Sequence, residues 1–111
     1  MGKTLKVAVL GGGSFGTAMA TILAENGHDA RLWVRDPETV AAINEQRENT
    51  RYMPGKALPE GLLATESLED ALSGATLVFV ALPSKAFADV LPLARELIAP
   101  GTIVVSCTKG I

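Results

Sequence analysis

The chain has 111 residues, 48% of them hydrophobic but only 5% aromatic, and a formal net charge of −2. That length holds one domain of ordinary size, with a core built from Ala, Val, Leu and Ile. The slight negative charge argues against nucleic acid or an anionic membrane as the main partner, and no apolar run is long enough to span a membrane. The one cysteine, Cys107, excludes an internal disulfide and fits a reducing, cytoplasmic setting; on a buried strand it reads as a small core residue rather than a nucleophile.

The first predicted strand covers residues 5–10. Its Val7-Ala8-Val9-Leu10 runs straight into Gly11-Gly12-Gly13-Ser14-Phe15-Gly16, and a helix comes next over 15–26. A strand, a G-x-G-x-x-G turn and a helix start, in that order, are the parts a dinucleotide site requires. Gly11 allows the tight turn, Gly13 lets backbone amides approach a pyrophosphate, and Gly16 lets the helix pack closely on the strand. The helix N-terminus then offers unpaired N–H groups and the positive end of its dipole. Ala18, Ile22 and Leu23 fall at helical spacing along the apolar face, and Gly27 is a stop signal.

A second strand is expected over 29–34. Asp36 then reads as an N-cap, with Pro37 at the first helical position and Glu38 in the first turn, for a helix running to about residue 46. Residues 48–61 read as a long loop punctuated by Asn49, Pro54, Gly55, Pro59 and Gly61. A strand over 62–65 precedes a short helix capped by Ser67 and stopped at Gly74, with Glu66, Glu69 and Asp70 at its solvated start. A fourth strand covers 77–82, ended by Pro83. The last helix covers 84–98, where Pro92 predicts a kink or break near Leu91, and a fifth strand covers 102–107. Short apolar strands alternating with helices imply an α/β, doubly wound, mostly parallel sheet in a single domain, with the ligand crevice at the carboxyl ends of the first and fourth strands.

Several residues then become candidates for cofactor binding. Arg35 and Asp36 lie nineteen and twenty residues after Gly16. An acid there holds ribose hydroxyls; an Arg accepts a 2′-phosphate. Because Asp36 has a rival task as helix cap, Arg35 is the better candidate, and NADP stands at least level with NAD. Ser14 is placed to cap the first helix or donate to a phosphate, Phe15 to pack or wall the cofactor. Phe87, one turn into the last helix, either touches the cofactor or joins the core. Lys109, at the carboxyl edge of the fifth strand, suits an anionic substrate or the nicotinamide side. His28 sits in a turn and is expected to be exposed.

Five stretches carry a resemblance: Gly11-Gly12-Gly13-Ser14-Phe15-Gly16-Thr17-Ala18, Trp33-Val34-Arg35-Asp36, Asn49-Thr50-Arg51-Tyr52-Met53-Pro54-Gly55, Val80-Ala81-Leu82-Pro83-Ser84 and Thr108-Lys109-Gly110. Together they make the chain resemble the N-terminal domain of bacterial NAD(P)-dependent glycerol-3-phosphate dehydrogenases. The resemblance implies a Rossmann-type fold and reversible hydride transfer between NAD(P)H and dihydroxyacetone phosphate, supplying glycerol 3-phosphate for phospholipid synthesis. It implies that Ser14, Phe15, Arg35 and Tyr52 contact the cofactor, and that Lys109 contacts both cofactor and phosphate substrate. Family members continue into a helical domain that supplies the catalytic lysine. Residues 1–111 are therefore expected to be a truncated dinucleotide-binding domain that holds cofactor weakly, carries no catalytic residue, needs no metal and turns nothing over. Its fifth strand becomes an exposed edge open to pairing with a second copy. The competing readings are another dehydrogenase of the hydroxyacyl or 6-phosphogluconate type, and a stand-alone redox-sensing module.

Overall fold

Period-two alternation along the strands divides their side chains between two faces, and both faces are apolar. In β1 (Lys6–Leu10), Ala8 and Leu10 point to one side and Val7 and Val9 to the other. The computed structural model describes residues 4–106, and there helices cover both faces of the sheet's centre. The last strand, Ile103–Ser106, expected to be buried, is instead exposed on both faces because no helix packs over it among the described residues. The remaining elements in chain order are α1 (Ser14–Glu25), β2 (Asp29–Trp33), α2 (Pro37–Ala41), β3 (Leu62–Thr65), α3 (Leu68–Leu72), β4 (Leu77–Val80), α4 (Ser84–Leu97) and β5 (Ile103–Ser106). The strands form one sheet in the order β3-β2-β1-β4-β5, with every neighbouring pair parallel.

One hydrophobic cluster joins Val7, Val9, Ala30, Leu32 and Leu62 to Ala20 of α1 and to Ile43. The other joins Ala8, Leu10, Val78 and Val80 to Ala71 and Leu72 of α3 and to Val90 and Ala94 of α4. The sheet is thus doubly wound. Its order reverses between β1 and β4, which leaves a crevice at their carboxyl ends because the loops leaving these strands turn to opposite faces.

The strands end where their neighbours turn away. Ala81 still donates to the Leu10 carbonyl (2.8 Å) and Val34 to that of Thr65 (2.9 Å), but the chain has left the sheet by then. This trims the fourth strand from the expected 77–82 to Leu77–Val80, and the second to Asp29–Trp33.

Three sequence expectations need correction. The face that α1 buries is formed by Gly16, Thr17, Ala20 and Thr21, whereas Ile22 is 56% exposed. The helix lies so close to the sheet that small residues fill the contact. The two threonines are tolerated because their hydroxyls are bonded: Thr17 Oγ1 donates to the Gly12 carbonyl (3.3 Å) and Thr21 Oγ1 to that of Thr17 (2.8 Å). Second, of the kink or break expected at Pro92, the break does not occur: α4 is one helix from Ser84 to Leu97. Pro92 and Ala88, whose carbonyl loses its helical partner, are both exposed, so water can serve that carbonyl. Third, His28 is half-buried, its Nδ1 accepting from the Leu5 amide (3.1 Å).

The helix opening at Pro37 does extend to residue 46, but its second half, Ala42–Gln46, is wound as a π-helix and ends at Arg47 in the left-handed conformation (φ 57°). From this wider turn Asn44 pairs with both backbone groups of Ala64 in β3, at 2.8 Å each. Arg47 donates to the carbonyls of Leu62 (2.7 Å) and Pro59.

Candidate functional site

The crevice between β1 and β4 opens as a cleft of about 880 Å³. That is within the range of small-molecule and cofactor sites, roughly 300–1,000 Å³. Its floor is the turn from Gly11 to Gly16, one wall comes from Trp33 to Asp36, and the opposite wall from Ala81 to Ser84. Arg51 and Tyr52 close it from the long loop.

The glycines of the floor are not equivalent. Gly11 holds a φ of +121°, and a Cβ there would lie 2.4 Å from the Ala81 carbonyl oxygen. At Gly16 a Cβ would lie 1.9 Å from the Gly11 carbonyl oxygen. Both are needed for the chain to fold back on itself. A Cβ at Gly13 would meet nothing within 4 Å. The folded chain therefore does not need glycine at 13 for packing, and an approaching ligand is the partner that would.

Gly13 is also the N-cap of α1, with no side-chain cap, so among the described residues no capping side chain occupies the first amides of the helix. The sequence offered Ser14 as a cap. Instead it is the first helical residue, and its hydroxyl donates to the Tyr52 carbonyl (3.2 Å). Phe15 is 55% exposed on the lining of the cleft.

Asp36 caps α2 as its sequence suggests. Its Oδ1 accepts from the Glu38 amide (3.2 Å) and its Oδ2 from the Thr39 hydroxyl (2.8 Å). The Thr39 hydroxyl, the Glu38 amide and the nearby Arg51 guanidinium hold the carboxyl below the ordinary carboxylate range. Arg35 is exposed beside it, with its guanidinium 5.5 Å from the centroid of the Trp33 ring.

Sequence reasoning gives Asn49 a place in a loop and in one family-like stretch but no partner, yet it holds the site together. It is completely buried. Its Nδ2 donates to the Gly12 carbonyl (3.0 Å) and to Thr17 Oγ1 (2.8 Å), and its Oδ1 accepts from the Tyr52 amide (3.1 Å). One side chain thus fastens the Tyr52 turn to the glycine turn. Arg51 likewise carries no signal of its own in the sequence; only its place beside Tyr52 at the cleft mouth reveals it.

Of the residues singled out by sequence, Gly11, Gly13, Ser14, Phe15, Gly16, Arg35 and Tyr52 all line this cleft. Phe87 is not on its lining; it packs against the cluster of Leu10, Val80 and Val90, on the core side of α4. Lys109 and Cys107 lie outside the described residues.

Comparison with known proteins decides the family. Residues 6–111 match the N-terminus of NAD-dependent glycerol-3-phosphate dehydrogenase. The chain belongs to that family. It is 67% identical over 104 residues to a glycerol-3-phosphate dehydrogenase [NAD(P)+] of Alcanivorax borkumensis, covering 94% of this chain and 30% of that protein. The corresponding enzyme of Bacillus mycoides is 44% identical, over 96% of this chain and 31% of its own length. Among solved structures, glycerol-3-phosphate dehydrogenase from Coxiella burnetii superposes with a TM-score of 0.90 at 36% identity, covering 97% of this chain and 33% of that one. The chain therefore spans about 30% of the length of the glycerol-3-phosphate dehydrogenases it matches.

Proposed function

We propose that this chain is the cofactor-binding part of an NAD(P)-dependent glycerol-3-phosphate dehydrogenase. The supporting observation is the floor of the cleft: an uncapped helix N-terminus beside a glycine whose missing side chain leaves open space. A diphosphate fits this floor, since its oxygens accept from the first amides of α1 while Gly13 keeps the approach clear. Ser14, Phe15, Arg35 and Tyr52 line the rest of the path. When bound, the nicotinamide cofactor supplies a hydride for reversible reduction of dihydroxyacetone phosphate to glycerol 3-phosphate, a precursor of phospholipids. Lys109 contacts both cofactor and phosphate substrate in this reading, and its charge steadies the developing alkoxide. The acid–base group lies in the remainder of the enzyme, so residues 1–111 bind cofactor without turnover. No helix among the described residues is long and apolar enough to cross a membrane, and the reading places the enzyme in the cytoplasm.

Fluorescence titration with NADPH and NADH tests the reading. At least one cofactor binds the wild-type chain, and Gly13→Ala weakens that binding roughly tenfold or more while costing at most about 1 kcal/mol of stability. Equal binding by both chains, or none by the wild type, sinks it.

The outer strand β5 supports self-association. Ile103 is 63% and Val104 43% exposed, and β5 is the last strand of the sheet among the described residues. An apolar edge of this kind pairs readily with another strand. Light scattering of the chain is expected to show self-association as concentration rises. A monomer throughout counts against it.

A further inference from the structure

We propose that Arg51 reads the 2′-phosphate that separates NADP(H) from NAD(H), together with Arg35; this rests on the cofactor reading above. Asp36 stands where an acid would otherwise select NAD(H) by binding the ribose hydroxyls. Both of its carboxylate oxygens are engaged in capping α2, one by the Glu38 amide and the other by the Thr39 hydroxyl. The acid is committed to the helix before any ligand arrives.

Two guanidinium groups remain at that end of the cleft. Arg35 leans over Trp33, and Arg51 over Tyr52 at 5.4 Å from the ring centroid. An aromatic neighbour steadies a planar guanidinium without consuming its donors. Arg51 also pairs with Asp36, but at 3.7 Å and with 61% of its side chain exposed. An ion pair so long and so wet contributes little and yields readily to a stronger acceptor. A phosphate dianion is such an acceptor, because the guanidinium fork matches two of its oxygens at once.

The backbone that carries Arg51 is fixed independently of the ligand. Tyr52 is tied through its amide to Asn49 and through its carbonyl to Ser14. Arg51 is therefore held in register with the phosphate floor rather than placed on a free loop. Two cations facing one committed anion make this end of the cleft selective for the more negative adenosine.

The test compares NADPH and NADH titrations of the wild-type chain, Arg51→Gln and Arg51→Lys, with circular dichroism melts alongside. Arg51→Gln weakens NADPH roughly tenfold or more, the loss of one charge-assisted pair, and leaves NADH within about twofold. Arg51→Lys keeps the charge but not the fork, falls between them, and carries the test if the Gln variant does not fold. An equal loss for both cofactors, or unchanged NADPH binding in a folded variant, overturns the role of Arg51. A wild-type chain that prefers NADH overturns it too, while leaving the cofactor reading intact. A wild-type chain that binds neither cofactor overturns that reading and this inference together.

Discussion

Replacing Gly16 by alanine unfolds this chain or brings it to the edge of unfolding. A Cβ built at position 16 lies 1.9 Å from the Gly11 carbonyl oxygen and 3.0 Å from its carbon. Both are backbone atoms, and Gly11 cannot retreat, because its amide donates to the Trp33 carbonyl (3.0 Å) and its own pro-chiral hydrogen faces the Ala81 carbonyl. Relief requires lifting the first turn of α1 from the sheet, which uncovers Thr17 and Ala20. Overpacking of this severity costs about 3 kcal/mol or more, against total stabilities of about 5–15 kcal/mol for single domains. With a urea dependence of about 1–3 kcal/mol per molar, the unfolding midpoint falls by at least about 1 M. The effect is graded along the turn. Gly11→Ala is comparably damaging through its φ of +121°, Gly12→Ala is milder because it meets only the Val34 side chain, and Gly13→Ala is nearly silent. A Gly16→Ala chain as stable as Gly13→Ala contradicts this account of the turn.

The second large effect is expected at Asn49. Truncation to alanine leaves the Tyr52 amide and the Thr17 hydroxyl each short of a partner around a completely buried position. The Thr17 hydroxyl keeps its bond to the Gly12 carbonyl, but the three bonds lost with the Asn49 side chain are worth about 0.5–1.5 kcal/mol each, and the Tyr52 turn is released from the glycine turn at the same time. Asn49→Ala therefore loses about 2–4 kcal/mol in urea unfolding and weakens cofactor binding as well. Asn49→Asp is worse at neutral pH. It sets a buried carboxylate oxygen where the amide now donates to the Gly12 carbonyl, and like-signed oxygens repel without a proton between them. Lowering the pH to protonate that carboxyl restores one donor and part of the stability. A loss below about 0.5 kcal/mol for Asn49→Ala would show that the fastening is dispensable.

Much of the architecture was legible from residue chemistry. Short apolar strands such as Val7-Ala8-Val9-Leu10 announce burial on both faces, and the glycine turn announces the helix behind it. Asp36-Pro37 and Ser67 were readable as caps because capping is local: Ser67 Oγ accepts from the Asp70 amide (3.2 Å), three residues on. The misreadings share a cause, in that each depends on something distant in sequence. The inward face of α1 is set by how closely the helix approaches the sheet, so alanine and threonine displace Ile22. That α4 continues through Pro92 depends on which side of the helix meets water. Nothing in Ala42–Gln46 distinguishes a π-helix from an α-helix, since the pairing of Asn44 with Ala64 spans twenty residues. Asn49 is the sharpest case. An asparagine in a loop rich in glycine and proline reads as turn chemistry, and only the folded chain brings Gly12 and Thr17 to it across more than thirty positions.

The two margins of the sheet are treated differently, and this constrains any assembly. Asn44 and Arg47 occupy the outward backbone groups of β3 much as a neighbouring strand would, so that margin has no room for a newcomer. Among the described residues only the outer side of β5 is left for the strand addition proposed above. If the described strands pair in that way, two copies meet edge to edge and form a closed pair, and a fibre has no second edge on which to grow.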